Sequence, residues 1–312
     1  MKKYTLPFLC LLLWFQAPAQ TQIVLDADTG NEMDDLYAIV GAILSDSVEV
    51  TSLSSAHFNN TQLLTDTMWN NYPTQDINTV QISQDENLRL LQSLGQASLP
   101  HPVGADRMVG YAWGYYPGAP IPASEGTDYI IAQARAASPE DKLNIVCLGA
   151  VTNVAAAILT DTTIARNIRL YMLSMQYDLE KKAWNKNEFN ARNDLNALDI
   201  VLNHPELDIY VIPASVSGKL VFQRKDTLAK LATINNETSR ILAQRWDEVN
   251  AGDQWNMWDL ALIEAIINPE LATLEEGSPP PENTSRTINI YTDIDAPQME
   301  AAFWERLSQK MR

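Results

Sequence analysis

Short apolar runs of β type alternate along this chain with longer segments whose apolar residues recur at helical spacing. "QIVLDAD" reads as a strand. "DDLYAIVGAILS" after it carries Leu36, Ile39, Val40, Ile43 and Leu44 at the spacing of one helix face. The pairing repeats: "VEVTSLSS" with the helical "NTQLLTDTMWNN", "KLNIVCLG" with "TNVAAAILT", and "IRLYMLSM" with "DLNALDIVLNH" beyond a polar loop. The strand "LDIYVIPAS" precedes helical "TLAKLATI", "SRILAQRWDEV" and "WDLALIEAII". The strand "RTINIYTDI" and the helix "PQMEAAFWERL" close the chain. Such alternation predicts an α/β fold with a mostly parallel, doubly wound (Rossmann-like) sheet and helices on both faces. Ligands of such sheets bind beyond the C-terminal ends of the strands.

Two stretches interrupt the alternation. Residues 104–126, "GADRMVGYAWGYYPGAPIPASEG", are rich in Gly, Pro and aromatics. A loop of that length has a function or is disordered, and its aromatics favour a wall or lid. Residues 276–285, "EGSPPPENTS", read as a surface excursion. The first residues read as an address and not as fold. Lys2 and Lys3 precede the apolar "LPFLCLLLWF", and the small residues Ala17–Ala19 follow. This predicts a cleavable signal peptide over 1–19, a single domain over 20–312, and a secreted or periplasmic location. The apolar run is too short to span a membrane.

The formal charge of −17 argues against nucleic acid and anionic membrane as partners, and no basic patch appears. Cations and neutral small molecules are the natural ligands. Cys147 is the one cysteine beyond the leader, so no internal disulfide forms there; inside "LNIVCLG" it reads as core.

The densest chemistry lies in "LDADTGNEMDD", Leu25–Asp35, with Asp26, Asp28, Glu32, Asp34 and Asp35 where a strand ends and a helix begins. Carboxylates forced together raise one another's pKa unless a cation holds them. Oxygen donors without His or Cys suit calcium or magnesium. The competing reading is helix capping by Asp34 and Asp35. Capping accounts for two acids but not for the DxD before them.

"DADTGNEMDD" resembles the calcium-binding signature of the inosine–uridine nucleoside hydrolase family, written DxDxGxDD. Further resemblances follow in family order. "CLGAVTNVAAAI" is similar to its GPLTN segment, "NKNEFNARND" to its EFN segment, and "MWDLALIEAIINPEL" to its C-terminal HDPL-type segment. The resemblance runs from about Ile23 to the end. It implies the nucleoside hydrolase fold and calcium-dependent hydrolysis of the N-ribosidic bond of nucleosides or related ribosides. It further implies a homodimer or homotetramer. Asp28, Asp35, Asp259 and the backbone carbonyl of Leu148 would hold the calcium, and Asp28 would also be the general base on the attacking water. Asp34, Glu188 and Asn190 would bind ribose hydroxyls. Asn185 stands for an earlier ribose-binding Asn, and Asn59 or Asn60 is the other ribose contact. Asp26 would fix the loop, and Thr152 and Asn153 would cap the helix after them.

Two departures stand out. The family has one residue between the Gly and the paired Asp; here there are three, Asn31, Glu32 and Met33. The family's leaving-group His before the last calcium Asp is Trp258. Trp258 would then face the leaving base, and His57 or a tyrosine of the long loop would supply the missing proton donor. The alternative function is a secreted calcium- and ribose-binding protein of this fold without efficient turnover. "DADTG" also loosely resembles the opening of haloacid dehalogenase-type phosphatases, but their acidic pair comes much later in the chain.

Overall fold

A computed structural model describes residues 20–60 and 77–311. The expected leader over 1–19 and nearly all of the expected helix "NTQLLTDTMWNN" lie outside the described residues. The strands are β1 (Thr21–Ala27), β2 (Val48–Ser55), β3 (Leu143–Cys147), β4 (Ile168–Leu173), β5 (Gln176–Asp178), β6 (Ala183–Asn185), β7 (Asp208–Ile212), β8 (Val221–Gln223), β9 (Gln254–Asn256), β10 (Ala272–Gly277) and β11 (Ile288–Ile294). The helices are α1 (Asp34–Ile43), α2 (Thr79–Ser93), α3 (Glu125–Ala136), α4 (Thr152–Thr160), α5 (Phe189–Asn193), α6 (Leu195–Asn203), α7 (Ala214–Ser217), α8 (Arg224–Ile234), α9 (Glu237–Glu248), α10 (Trp258–Ile267) and α11 (Ala296–Lys310).

The central sheet has seven strands in the order β10-β11-β7-β4-β3-β1-β2. All pairings are parallel except β10 with β11. Alternate side chains of each strand enter opposite cores. Val24, Ile145, Cys147, Leu170, Met172, Ile209 and Val211 pack with α3, α4 and α6. Leu25, Val146, Leu173 and Ile212 pack with α1, α9, α10 and α11 on the other face. The fold is therefore the doubly wound α/β architecture that the alternation predicts. Cys147 is fully buried in the first of these cores.

The chain steps from β1 outward to β2, then returns to place β3 on the other side of β1. The order reverses between β1 and β3. A crevice opens at such a switch point because the flanking loops run in opposite directions. Asp28 follows β1 there, and Leu148 follows β3.

Several elements depart from the pattern. Helices α2 and α3 fall outside the predicted alternation; α2 is mostly polar and α3 about half polar, which leaves only a narrow apolar stripe. Residue 276 was expected to begin a surface excursion, yet β10 continues to Gly277 as an antiparallel edge strand. The long loop ends earlier than expected, because Ser124 caps α3 by accepting from the Thr127 N–H. Two further antiparallel pairs, the hairpin β5–β6 and the pair β8–β9, form separate two-stranded sheets.

Candidate active site

The acidic loop is built from a strand end, a tight turn and a helix start. The Asn31 N–H bonds back to the Asp28 carbonyl at 2.9 Å. The Thr29 hydroxyl lies 2.9 Å from the Ser83 carbonyl and 2.7 Å from Asn87 Oδ1, which ties the turn to α2. Arg245 of α9 donates to the Thr29 carbonyl at 2.8 Å and to the Glu32 carbonyl at 3.0 Å. Helix α1 then opens with Asp34 and Asp35, and its N-cap Met33 offers no side-chain cap. Asp34 reaches the far end of the chain: its Oδ2 accepts the Asp259 N–H at 3.1 Å and fixes the start of α10.

Asp28, Asp34, Asp35 and Asp259 are all buried. Asp34, Asp35 and Asp259 each offer an oxygen within 4.8 Å of the others. Asp28 Oδ2, Asp35 Oδ1 and Asp259 Oδ1 have no hydrogen-bond partner although they are out of solvent. Gly149 lets Asp28 approach β3, since a Cβ there would lie 2.8 Å from Asp28 Oδ1. Burial, followed by the charge of Asp35, holds the Asp28 carboxyl well above the usual carboxylate range. Burial and the same neighbour do so for Asp259. Burial and the charge of Asp34 push Asp35 to about 7, and burial pushes Asp34 to about 6. A buried carboxylate oxygen without a partner carries a large desolvation cost, and a cation is the ordinary way to offset it. The donors are hard oxygens without His or Cys, which suits a hard divalent cation.

These acids form one wall of a cavity of about 170 Å³, lined on other sides by Asn31, Glu32, Leu148, Leu173, Gln176, Glu188, Phe189, Asn190, Ala214 and Trp258. Asn190 donates to the Leu148 carbonyl at 2.6 Å and reaches the Leu173 carbonyl at 3.3 Å. Glu188 caps α5, taking the N–H groups of Asn190 and Ala191 at 2.9 Å each. It also takes the N–H of Met175 at 3.1 Å. Met175 is fully buried with φ 64, so Glu188 braces a left-handed backbone turn between β4 and β5. Trp258 is half-buried at the rim, its ring against Gly218, where a Cβ would lie 2.7 Å from Nε1.

The other expected contacts lie off the lining of the cavity. His57 is buried, with Nε2 2.8 Å from the Thr152 hydroxyl, which donates to Asp194 Oδ2 at 2.8 Å. Burial lowers its pKa to about 4, so the ring is neutral at neutral pH. Asn59 donates to the Asp106 carbonyl at 2.5 Å, and Asn60 to the Arg192 carbonyl at 2.6 Å. Asn185 is exposed on β6 and accepts from the Asn187 N–H at 2.8 Å. Thr152 and Asn153 do not cap α4, whose N-cap Val151 has no side-chain bond. Asn153 instead donates to Asp26 Oδ1 at 2.8 Å and accepts from the Ala105 N–H at 2.7 Å. Asp26 thereby anchors the base of the long loop behind the site. The aromatics of that loop do not line the cavity: Tyr111 stacks on Trp113 with ring centres 4.9 Å apart, and Trp113 is 79% exposed. Glu32, Gln176 and Arg245 were missed as site residues. Only Glu32 carried a signal, as the acid of the lengthened loop.

The family profile described as inosine-uridine preferring nucleoside hydrolase matches residues 23–301. A search of curated protein sequences finds no match. Among solved structures, a plant nucleoside hydrolase is 19% identical with a TM-score of 0.66, covering 93% of this chain and 99% of its own. The purine-preferring ribonucleoside hydrolase from Gardnerella vaginalis is 18% identical with a TM-score of 0.67 over the same shares. An inosine-guanosine nucleoside hydrolase is 17% identical, again with a TM-score of 0.67, 93% of this chain and 99% of its own being covered. At these identities the structures establish the shared fold, and the profile establishes the kinship.

Proposed function

The chain belongs to the inosine-uridine preferring nucleoside hydrolase family, glycosidases that act on N-glycosyl compounds, and we propose that it hydrolyses the N-ribosidic bond of a nucleoside or related riboside in a calcium-dependent reaction. One observation carries this reading: the partnerless oxygens of Asp28, Asp35 and Asp259 sit in buried side chains that line one cavity at the switch point of the sheet. With the Leu148 carbonyl, these residues would hold the cation. Bound calcium would supply Lewis-acid activation of water and a template for ribose hydroxyls.

The protein's own groups do the rest. Asp28 takes a proton from the water that attacks C1′, and the C1′–N bond breaks with its electron pair leaving on the base. The surrounding carboxylates stabilise the positive charge that develops on the sugar. Asp34, Glu188 and Asn190 orient the ribose. Trp258 stacks on the leaving base, where the family has a His. Among the described residues no His lines the cavity, and His57 is committed to Thr152. This favours ribosides whose leaving group needs little protonation. Residues 20–312 would act as a single secreted or periplasmic domain after loss of the leader.

The test is ribose release from inosine, uridine, adenosine, guanosine, cytidine and p-nitrophenyl riboside, each with calcium and with chelator. Calcium-dependent release from any of them supports the hydrolase. Release from p-nitrophenyl riboside alone means that water activation works and that natural bases leave too poorly. No release from a calcium-loaded protein would shift the reading to a ribose-binding protein without turnover, which the Trp258 substitution motivates.

A further inference from the structure

The lengthened acidic loop places one more carboxylate in the cavity. Of its three intervening residues, Asn31 is 7% exposed and Met33 fully buried, whereas Glu32 keeps some exposure and lines the cavity. Arg245 fixes that presentation. Its guanidinium is almost wholly buried and grips the loop at two carbonyls, Thr29 through Nη2 and Glu32 through Nε. No residue of α9 belongs to the motifs that mark the family. Burial first, then the charges of Asp34, Asp35 and Glu188, raise the Glu32 carboxyl above the usual carboxylate range, with Arg245 opposing them. It stands between the acidic loop and the α5 cap, where a bound cation would offset that pressure. Glu188 already accepts three backbone N–H groups. Glu32 takes no side-chain hydrogen bond among the described residues. Of the two glutamates in the wall, it is the one with its acceptor capacity unspent.

We propose that Glu32, positioned by Arg245, is a further specificity-determining residue of the cavity: its carboxylate accepts a hydrogen bond from a hydroxyl of a neutral pentose and rejects the phosphorylated sugar. The inference rests on the ribose-binding reading above. A carboxylate accepting from a hydroxyl makes a strong, charge-assisted bond. The same carboxylate beside a phosphate repels it, and a partly dry cavity screens that repulsion poorly.

The experiment measures the affinity of the calcium-loaded full chain for D-ribose and D-ribose 5-phosphate, neither of which it can hydrolyse, by NMR titration. Wild type should prefer ribose. E32Q keeps the shape and removes the charge, so ribose should weaken about tenfold while ribose 5-phosphate does not weaken, narrowing the preference at least as much. A merely structural role would weaken both sugars together. R245Q, which releases the loop from behind, should weaken ribose and lower the melting temperature, whereas E32Q should leave melting unchanged. The assignment is overturned if E32Q binds ribose within twofold of wild type, if both sugars weaken in parallel, or if calcium affinity falls tenfold with them, which would make Glu32 a metal ligand. A wild-type preference for ribose without hydrolysis of any nucleoside would sink the hydrolase reading and keep Glu32. A wild type that binds neither sugar while still releasing ribose from nucleosides would sink the Glu32 assignment and leave the hydrolase reading.

Discussion

Asp28 is where the proposed chemistry and the folding energetics pull in opposite directions. Its Oδ2 is buried without a partner, and burial with the charge of Asp35 resists its ionisation. Asp28→Asn should therefore lower ribose release by about 10³-fold or more, since a base and a charge stabiliser are lost together. The metal-free variant should melt no lower than wild type, because one buried repulsive charge has gone. Activity assays and thermal melts in chelator check the two halves. His57 shows a buried group of the other sign. Burial lowers its folded pKa to about 4, against an ordinary 6.5. Between those values the unfolded chain binds the proton and the folded chain does not, so stability falls as pH drops from 6.5 towards 4. The full cost approaches roughly 3 kcal/mol, from 1.36 kcal/mol per unit. His57→Gln should lose that dependence in urea titrations at pH 7 and pH 4.5. The acids gathered at the cavity were legible because the DxD and the DD are compressed into one loop. His57, Asn59 and Asn60 were not placed correctly by order alone. Which way a loop side chain turns depends on distant partners, here Thr152, Asp106 and Arg192.

At the scale of elements, the apolar period identified the strands that lie in the middle of the sheet, because both faces of each are buried and their runs are continuous. It missed α2 and α3, which cover the sheet with few apolar residues, and the edge strand β10, whose "ATLEEG" is largely exposed. Arg245 was also beyond sequence reasoning, since the loop it holds is more than 200 residues away in the chain, the bond to Glu32 spanning 213 positions. The docking of α11 rests on a similar long-range contact. Glu264 of α10 is fully buried, and Arg306 meets it with two bonds, at 2.7 and 2.9 Å. Arg306→Leu would leave that buried carboxylate only the Asn268 amide, which donates to it at 2.9 Å, and losing the charged partner of such a pair costs about 3–5 kcal/mol. Urea unfolding should show the loss. Because the pair lies outside the cavity lining, activity measured well below the melting temperature should hold. A parallel fall in activity would mean that α10 carries the disturbance to Asp259 at its first turn.

For the whole molecule, the formal charge of −17 is not spread evenly in its consequences. Acids on the surface are solvated and screened, whereas Asp28, Asp34, Asp35 and Asp259 concentrate negative charge in a buried cluster at the centre of the fold. The metal-free chain thus folds against its own site, with β1, α1 and α10 drawn together by apolar packing despite the carboxylates they carry. A cation that binds the folded state alone stabilises it by mass action, about 2.7 kcal/mol at a hundredfold excess over Kd. For a domain of this size, that should raise the melting temperature by about 5 °C or more. Magnesium should do less, because it demands near-ideal octahedral geometry and gives up its waters reluctantly. Chelator should abolish the shift in wild type. Asp35→Asn should shrink it even with calcium present, because Asp35 is a proposed ligand whose free oxygen lies within the cluster. If calcium left the melting temperature of wild type unmoved while ribose release still occurred, the acids would have to work as a protonated network, and the partnerless oxygens would need another explanation than a cation.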